Sequence, residues 1–451
     1  MGSGIIANLK ILAPVAFYLL GVALALAAFV GKVRWALLLV AFLLPLRNVV
    51  EKLQGLPLGN QFLDVLFMAM IVGWFVSAFT GGQKKLFDES SLNWISIVLI
   101  VYTFISLQSG NAYLKSVSFF DISDPRVQDW KNFVLLPILF FITFNNVTDA
   151  KWVWRVFLVM CLGMFISGYY TSTQISWFSN LLSRAKISGT FQFLGPNEVG
   201  AFFNQYTMIL ITMFFFMKKK IHKVLTALLI LLNIYCILFL YSRAAYAALA
   251  AGLFILASMK KRVLLIPLIL VAVFWQVALP EKAVERIQGT TNEFGELEES
   301  AERRVEIWKV GLEYFEENPV FGIGLGVFSR LGYNLGDTHN IYVKLLVEQG
   351  LTGLGIFFIL VWCFILEGWR LYRKGQDDYE RGLGLGFAIS IVVLMINNFF
   401  GNRWTYLELS GYLWIFAGLV CRLRALAETS SHAASSPKKV KVNMRQAGRR
   451  P

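Results

Sequence analysis

Charge is scarce in this sequence. Asp, Glu, Lys and Arg make up 16% of its 451 residues, where soluble domains carry about a quarter. Set against 57% hydrophobic residues, that deficit excludes an ordinary water-soluble domain. Cysteine occurs only four times. Cys161, Cys236, Cys363 and Cys421 lie in or at the ends of apolar runs, without metal-ligand spacing. A disulfide framework and a zinc site are excluded, and packing remains as their role. Acidic residues number 28 against 42 basic ones, for a net charge of +14. The basic residues group in short loops and the C-terminal tail. No soluble domain presents a basic stripe, so the pattern points to membrane topology and not to nucleic acid. Short alternating segments are also missing, which excludes a transmembrane barrel.

What is present is a series of apolar runs of about 17 to 25 residues, each long enough to cross a ~30 Å hydrocarbon core. They predict an all-α polytopic membrane protein. The first run resembles a signal peptide, but no small-x-small cleavage site follows it. The expected spans are 11–30, 35–50, 62–80, 92–109, 132–147, 152–172, 198–217, 224–241, 243–259, 263–279, 340–369, 382–400 and 405–421. "KKKIHK" (218–223), "MKKR" (259–262), "RLYRKGQDDYER" (370–381) and the basic tail are expected on the cytoplasmic side. Segments 108–131, 173–197 and 280–338 then face outside. Strict alternation gives 13 spans and an exterior N-terminus; merging two of the first spans gives 12 and puts both ends inside. The expected organisation is an N-terminal bundle (1–279), an exterior loop (280–338), a C-terminal three-span bundle (339–423) and a disordered basic tail (424–451).

The exterior loop holds the chemistry-bearing pattern. In "SAERRVEIWKVGLEYFEENP" (300–319), Val305, Trp308, Leu312 and Phe315 recur at helical spacing. They predict an amphipathic helix that lies on the membrane or roofs a cavity, and ends at Asn318-Pro319. "FGIGLG" (321–326) follows. It lacks the Gly-Lys-Ser/Thr ending of a phosphate loop and the βαβ setting of a dinucleotide site. Its glycines are expected to permit tight turns or close helix approach. In "DTHNIYVKLLVEQG" (337–350), Asp337 or Thr338 is expected to cap a helix starting near Asn340, with His339 at its N-terminus. The helix dipole there favours neutral imidazole, the form a general base needs. Glu348, nine residues on, is about half a turn out of phase and makes no dyad with His339.

Arginines at exterior span mouths run against the positive-inside bias. Arg184, Arg243, Arg303 and Arg304 are such residues, with few acidic partners nearby in sequence. Guanidinium forks bind phosphate, so these arginines with His339 predict a site for an anionic ligand, such as a diphosphate. No pair of exterior carboxylates stands out, which argues against a glycoside hydrolase. Charges at mid-span and internal repeats are scarce, which argues against a transporter or flippase.

"SGTFQFLGPNE", "SRAA", "RVEIWKVGLEYFEENPVFGIGLGVF" and "THNIYVKLLVEQGLTGLGIF" together resemble the O-antigen ligase and O-antigen polymerase superfamily. The resemblance covers about 184–360. It implies a GT-C-like glycosyltransferase of the bacterial inner membrane, with its active site on the periplasmic side and no metal or other cofactor. The implied substrates are an undecaprenyl-diphosphate-linked glycan and a hydroxyl acceptor, either lipid A-core or a growing glycan. It implies that Arg184, Arg304 and Arg243 bind the donor diphosphate and that His339 activates the acceptor hydroxyl. Arg303 beside Arg304 leaves the register open by one residue. Asn197, Asn340 and Glu348 are the supporting residues of these motifs. A ligase and a polymerase share this donor and differ in acceptor; both stay open, with the ligase preferred.

Overall fold

A computed structural model describes residues 2–80, 86–115, 121–177, 181–260, 262–289, 299–331 and 336–435. Every regular element among them is helical. The first nine helices are α1 (Gly2–Phe29), α2 (Val33–Leu43), α3 (Arg47–Glu51), α4 (Phe62–Thr80), α5 (Ser91–Tyr113), α6 (Pro125–Asn146), α7 (Ala150–Trp177), α8 (Pro196–Phe216) and α9 (Lys220–Phe239). The remainder are α10 (Arg243–Met259), α11 (Leu265–Val273), α12 (Trp275–Ala278), α13 (Glu281–Gln288), α14 (Glu299–Glu317), α15 (Ile341–Lys374), α16 (Asp378–Asn398) and α17 (Leu407–Ser435). Among the described residues, nine helices are long and apolar enough to cross a membrane: α4 to α9 and α15 to α17. The chain is an all-α polytopic membrane protein.

The other four expected spans are present as shorter apolar helices, 14–29, 33–43, 243–259 and 262–273. The predicted span 35–50 is cut short because Pro45 cannot continue α2. At ~1.5 Å per residue, an 11-residue helix covers only about half of the hydrocarbon core. The predicted span 263–279 breaks at Phe274, between α11 and α12. Helix α17 continues through Ser435, past the expected boundary at 423. The rest of the expected disordered tail, 436–451, lies outside the described residues.

Helices α8, α16 and α17 are the most enclosed of the spans. Polar side chains tie this centre together. Tyr206 of α8 donates to the Leu409 carbonyl of α17 at 2.6 Å. Asn204 of α8 donates to the Ala245 carbonyl of α10 at 2.9 Å. Asn233 of α9 donates to Thr207 of α8 at 3.0 Å. With lipid outside, such bonds and close packing hold helices together where hydrophobic exclusion cannot. One apolar cluster runs from α1 through α17, so the C-terminal helices complete the N-terminal ones.

The basic loops meet at one end of the bundle. Lys218 pairs with Asp378 at 2.8 Å and Lys374 with Glu428 at 2.9 Å. Lys260 lies 5.6 Å from the Tyr372 ring. The opposite end carries α13, α14 and the turns before α8, α15 and α17.

At that opposite end α15 is broken. Gly350 adopts φ 64°, ψ −167° inside it, so the turn before Gly350 leaves carbonyls without intrahelical partners. The glycine-rich segment fills the break. Ile323 N donates to the Val347 carbonyl and Gly324 N to the Glu348 carbonyl, each at 2.9 Å. Leu351 N and Thr352 N, beyond the break, donate to the Pro319 and Val320 carbonyls. Tyr102 of α5 donates to the Gln349 carbonyl at 2.5 Å. A Cβ at Gly324 would stand 2.2 Å from the Gly110 Cα, and one at Gly322 would stand 2.5 Å from Gln349 N. The glycines serve backbone-on-backbone packing, as their setting in the sequence predicts.

Candidate active site: an arginine-rich mouth beside a polar chamber

Arg184 lies in a 3-10 turn ahead of α8 and is buried. Its Nε donates to the Leu240 carbonyl at 2.6 Å. Its Nη2 donates to Asn197 Oδ1 at 2.7 Å. Asn197 belongs to the first turn of α8, so the two expected residues meet. Burial pushes the Arg184 guanidinium down to about 9, and Arg286 and Arg243 push the same way, while Tyr246 and Glu198 oppose them. Arg243, the first residue of α10, donates to the Arg286 carbonyl of α13 at 3.2 Å. Three arginines from separate elements therefore share one neighbourhood. Like charges held this close favour an anion between them.

A second pair lies next to it. Arg403, in the turn before α17, is 2% exposed and sits 3.3 Å from Glu198 Oε1. Burial lowers its pKa, Glu198 opposes that, and Arg304 of α14 lowers it further. Arg304 is half-buried and within electrostatic reach of Arg403, while Arg303 is exposed. Glu198 is within electrostatic reach of both Arg184 and Arg403, so one carboxylate stands between the two arginine groups. The buried side of α14 differs from the expected one. Ile307 and Gly311, with Val310 and Tyr314, pack on Ile323, Val327, Phe328 and Val347, whereas Leu312 stays 41% exposed. Gly311 decides this, because its missing side chain lets α14 approach Val343 and Val347 of α15.

The histidine turn is held from both sides. Trp308 of α14 donates to the Thr338 carbonyl at 2.8 Å. Thr338 donates from its hydroxyl to the Asn340 carbonyl at 3.0 Å. The helix cap is Asn340, not Asp337 or Thr338: its Oδ1 accepts from Tyr342 N at 2.9 Å and Val343 N at 3.3 Å. Asp337 instead meets Lys344 at 3.5 Å. His339, between buried Thr338 and Asn340, is exposed and adopts φ 50°. That left-handed conformation costs on the order of 1–3 kcal/mol in a non-glycine residue. Anchored flanks sustain it and turn the imidazole outward.

Beside this mouth lies a chamber of about 510 Å³ between α4, α5, α6, α15 and α17. Arg126, Asp129, Trp130, Lys344, Glu348, Trp404, Tyr406 and Glu408 help to line it. Glu348 is 2% exposed and looks into this chamber, in keeping with its expected phase relative to His339. Tyr406 joins the compartments, lining the chamber while lying within electrostatic reach of Asp337 and Glu198. Among the described residues, no three His, Cys, Asp or Glu side chains gather in a metal-binding arrangement.

Sequence reasoning missed Arg126, Glu198, Arg286 and Arg403. Arg126 and Arg403 stand, like Arg184, in or next to turns at span ends. Glu198 was the missing acidic partner, 205 residues from Arg403 along the chain.

The fold and the site define a class: a multi-span helical membrane protein that gathers arginines around an anchored histidine turn. Residues 225–358, under a third of the chain, match the family model described as O-Antigen ligase, a match that supports a relation to the O-antigen ligase superfamily. The matched segment includes Arg243, Arg286, Arg304, Trp308, His339 and Glu348, and leaves out Arg184, Glu198 and Arg403. No curated protein matches the chain. The match supports an O-antigen ligase- or polymerase-like activity of glycosyltransferase type.

Proposed function

We propose that the protein transfers a glycan from undecaprenyl diphosphate to a hydroxyl acceptor, as an O-antigen ligase does, on the periplasmic face of the inner membrane. One observation carries this reading. Arg184, Arg243, Arg286, Arg304 and Arg403 come from five separate segments and converge on one mouth despite their like charge. A bound diphosphate offsets that repulsion. The convergence lies at the end of the bundle away from the basic loops, which the positive-inside bias assigns to the exterior.

In this reading the donor lipid lies between helices and its diphosphate meets the arginines. Cleaving the sugar–phosphate bond builds negative charge on the leaving diphosphate. Fixed guanidinium groups stabilise that charge as it develops. His339 takes the proton of the acceptor hydroxyl as the new glycosidic bond forms, a role typically worth about 10²–10⁴-fold. A single displacement inverts the anomeric centre. No metal or other cofactor takes part in this scheme.

The test is the lipid-diphosphate-linked glycan that accumulates in host cells without the protein, with His339→Ala as a second strain. Long stranded chains are expected, as for a lost ligase. Single stranded repeat units would make the protein a polymerase. His339→Ala should match the deletion at normal protein level; wild-type glycan in that strain would remove the histidine from the chemistry.

A further inference from the structure

The chamber beside the arginine mouth has chemistry of its own. Its lining cations are Arg47, Arg126, Lys131 and Lys344. Asp64, Asp129, Glu348 and Glu408 match them in number. Lys131 pairs with Asp64 at 2.7 Å and Arg47 with Glu408 at 3.6 Å. Lys344 lies within electrostatic reach of Glu348 and Asp337. The arginine mouth gathers five cations with Glu198 and Asp337 within electrostatic reach of them, whereas the chamber's lining charges are balanced. A second polyanion therefore has no excess charge to attract it there.

Two buried lining groups have spare hydrogen-bonding capacity. Arg126 is 3% exposed, and its Nε and Nη2 serve Asp124 and Asn111. Its Nη1 has no hydrogen-bond partner among the described residues, and neither does Glu348 Oε2. Buried polar atoms left this way cost about 1–3 kcal/mol each. One is a donor and the other an acceptor. A ligand rich in hydroxyl groups satisfies both, because each hydroxyl donates and accepts.

The walls add a flat aromatic face. Trp130 is half-buried, held by its Nε1 bond to Thr103 at 3.2 Å and by contact with Phe104 at 5.2 Å between ring centres. Fixed rings present an apolar face at small entropic cost. A volume near 510 Å³ falls within the range of small-molecule sites, roughly 300–1,000 Å³. Aromatic faces, an orphan donor and an orphan acceptor in a charge-balanced chamber fit an uncharged sugar ring.

We propose that this chamber is a saccharide subsite that takes uncharged sugar rings of the glycan, with Glu348 and Arg126 bonding ring hydroxyls and Trp130 stacking beneath them. It deepens the transferase reading above and rests on it. Through Tyr406, and through Lys344 paired to Asp337, it abuts both the arginine mouth and the histidine turn. A sugar seated there lies next to a diphosphate held by the arginines.

The experiment uses the full chain in nanodiscs. The repeat-unit oligosaccharide, released from the host's own surface glycan, is titrated by saturation-transfer NMR. Inorganic pyrophosphate is titrated separately by thermal shift. Glu348→Gln and Trp130→Ala should each weaken oligosaccharide binding at least tenfold and leave the pyrophosphate response unchanged. Trp130→Ala alters a half-exposed position, so it remains informative if the Glu348 variant folds poorly. Unchanged oligosaccharide binding in both variants would overturn the proposal. A lost pyrophosphate response in both would also overturn it, assigning the chamber to the anion. Kinetics with purified donor and acceptor identify the source of the sugar: a raised acceptor KM assigns it to the acceptor, a raised donor KM to the donor. Oligosaccharide binding with no glycan transfer by wild type would overturn the transferase reading and leave the subsite standing.

Discussion

Replacing Gly324 by alanine should uncouple the broken helix from the segment that fills it. The new Cβ would stand 2.2 Å from Gly110 Cα and 2.3 Å from Gly110 N, and both are backbone atoms that cannot rotate away. The residue also holds φ 107°, a conformation that strains any L side chain. The 321–326 segment must then lift off α5 and α15. Lifting breaks the bonds from Ile323 N, Gly324 N and Leu325 N to the Val347, Glu348 and Ser106 carbonyls, at 2.9, 2.9 and 3.1 Å. At about 1 kcal/mol per bond, plus about 1–2 kcal/mol for the backbone conformation, the loss is about 4–5 kcal/mol. For a chain of this size that is a fall in Tm of about 4–5 °C. Gly355→Ala is the control, since its Cβ would meet nothing within 4 Å on the same helix α15. The assay is thermal unfolding of purified protein in detergent, followed by near-UV circular dichroism. Equal Tm values for Gly324→Ala and Gly355→Ala would refute the reasoning and free the glycines for another role.

Three other predictions concern the mouth. Arg304→Ala should reduce donor kcat/KM by about 10- to 100-fold, the scale of a charge-assisted hydrogen bond. Arg303→Ala should stay near wild type, and the opposite order would move the register by one residue. Trp308→Phe keeps an aromatic ring but removes the donor to the Thr338 carbonyl. The loss of about 1 kcal/mol should slow turnover roughly fivefold at unchanged donor KM; turnover equal to wild type would show that the histidine turn does not depend on this bond. Glu198→Gln removes the carboxylate between the arginine groups. Tm should fall by the equivalent of about 1–2 kcal/mol, while the thermal stabilisation by pyrophosphate should grow. A smaller stabilisation would mean that Glu198 does not compete with the bound anion.

The apolar runs dictated a helical membrane protein, because a backbone in lipid must satisfy its own hydrogen bonds. Thirteen runs appear as helices at their expected places. Their lengths departed where one residue stops a helix, as Pro45 does in α2, or where a helix simply breaks, as near Phe274. Periodicity also predicted α14, but not which of its faces is buried. Apolar spacing favoured Leu312, whereas Gly311 fixed the contact, since close approach depends on what the opposite helix presents.

The residues of the candidate site divide in the same way. Arg184, Arg243, Arg304, His339 and Asn340 could be singled out because each stands at a span mouth or helix start, a local property. Arg286, Arg403, Glu198 and Arg126 became visible only in three dimensions, because their partners lie on other helices. The pairing of Arg403 with Glu198 joins residues 205 positions apart. The left-handed turn at His339 is likewise a tertiary effect, imposed by Trp308 from α14. Membrane residence, helix positions and the kinds of chemical group at the span mouths were legible along the chain. These follow from local composition and period. Which groups meet, and that a balanced chamber lies beside a cationic mouth, emerges from packing between distant segments. Charge–charge and hydrogen-bond contacts between distant segments leave no periodic trace along the chain.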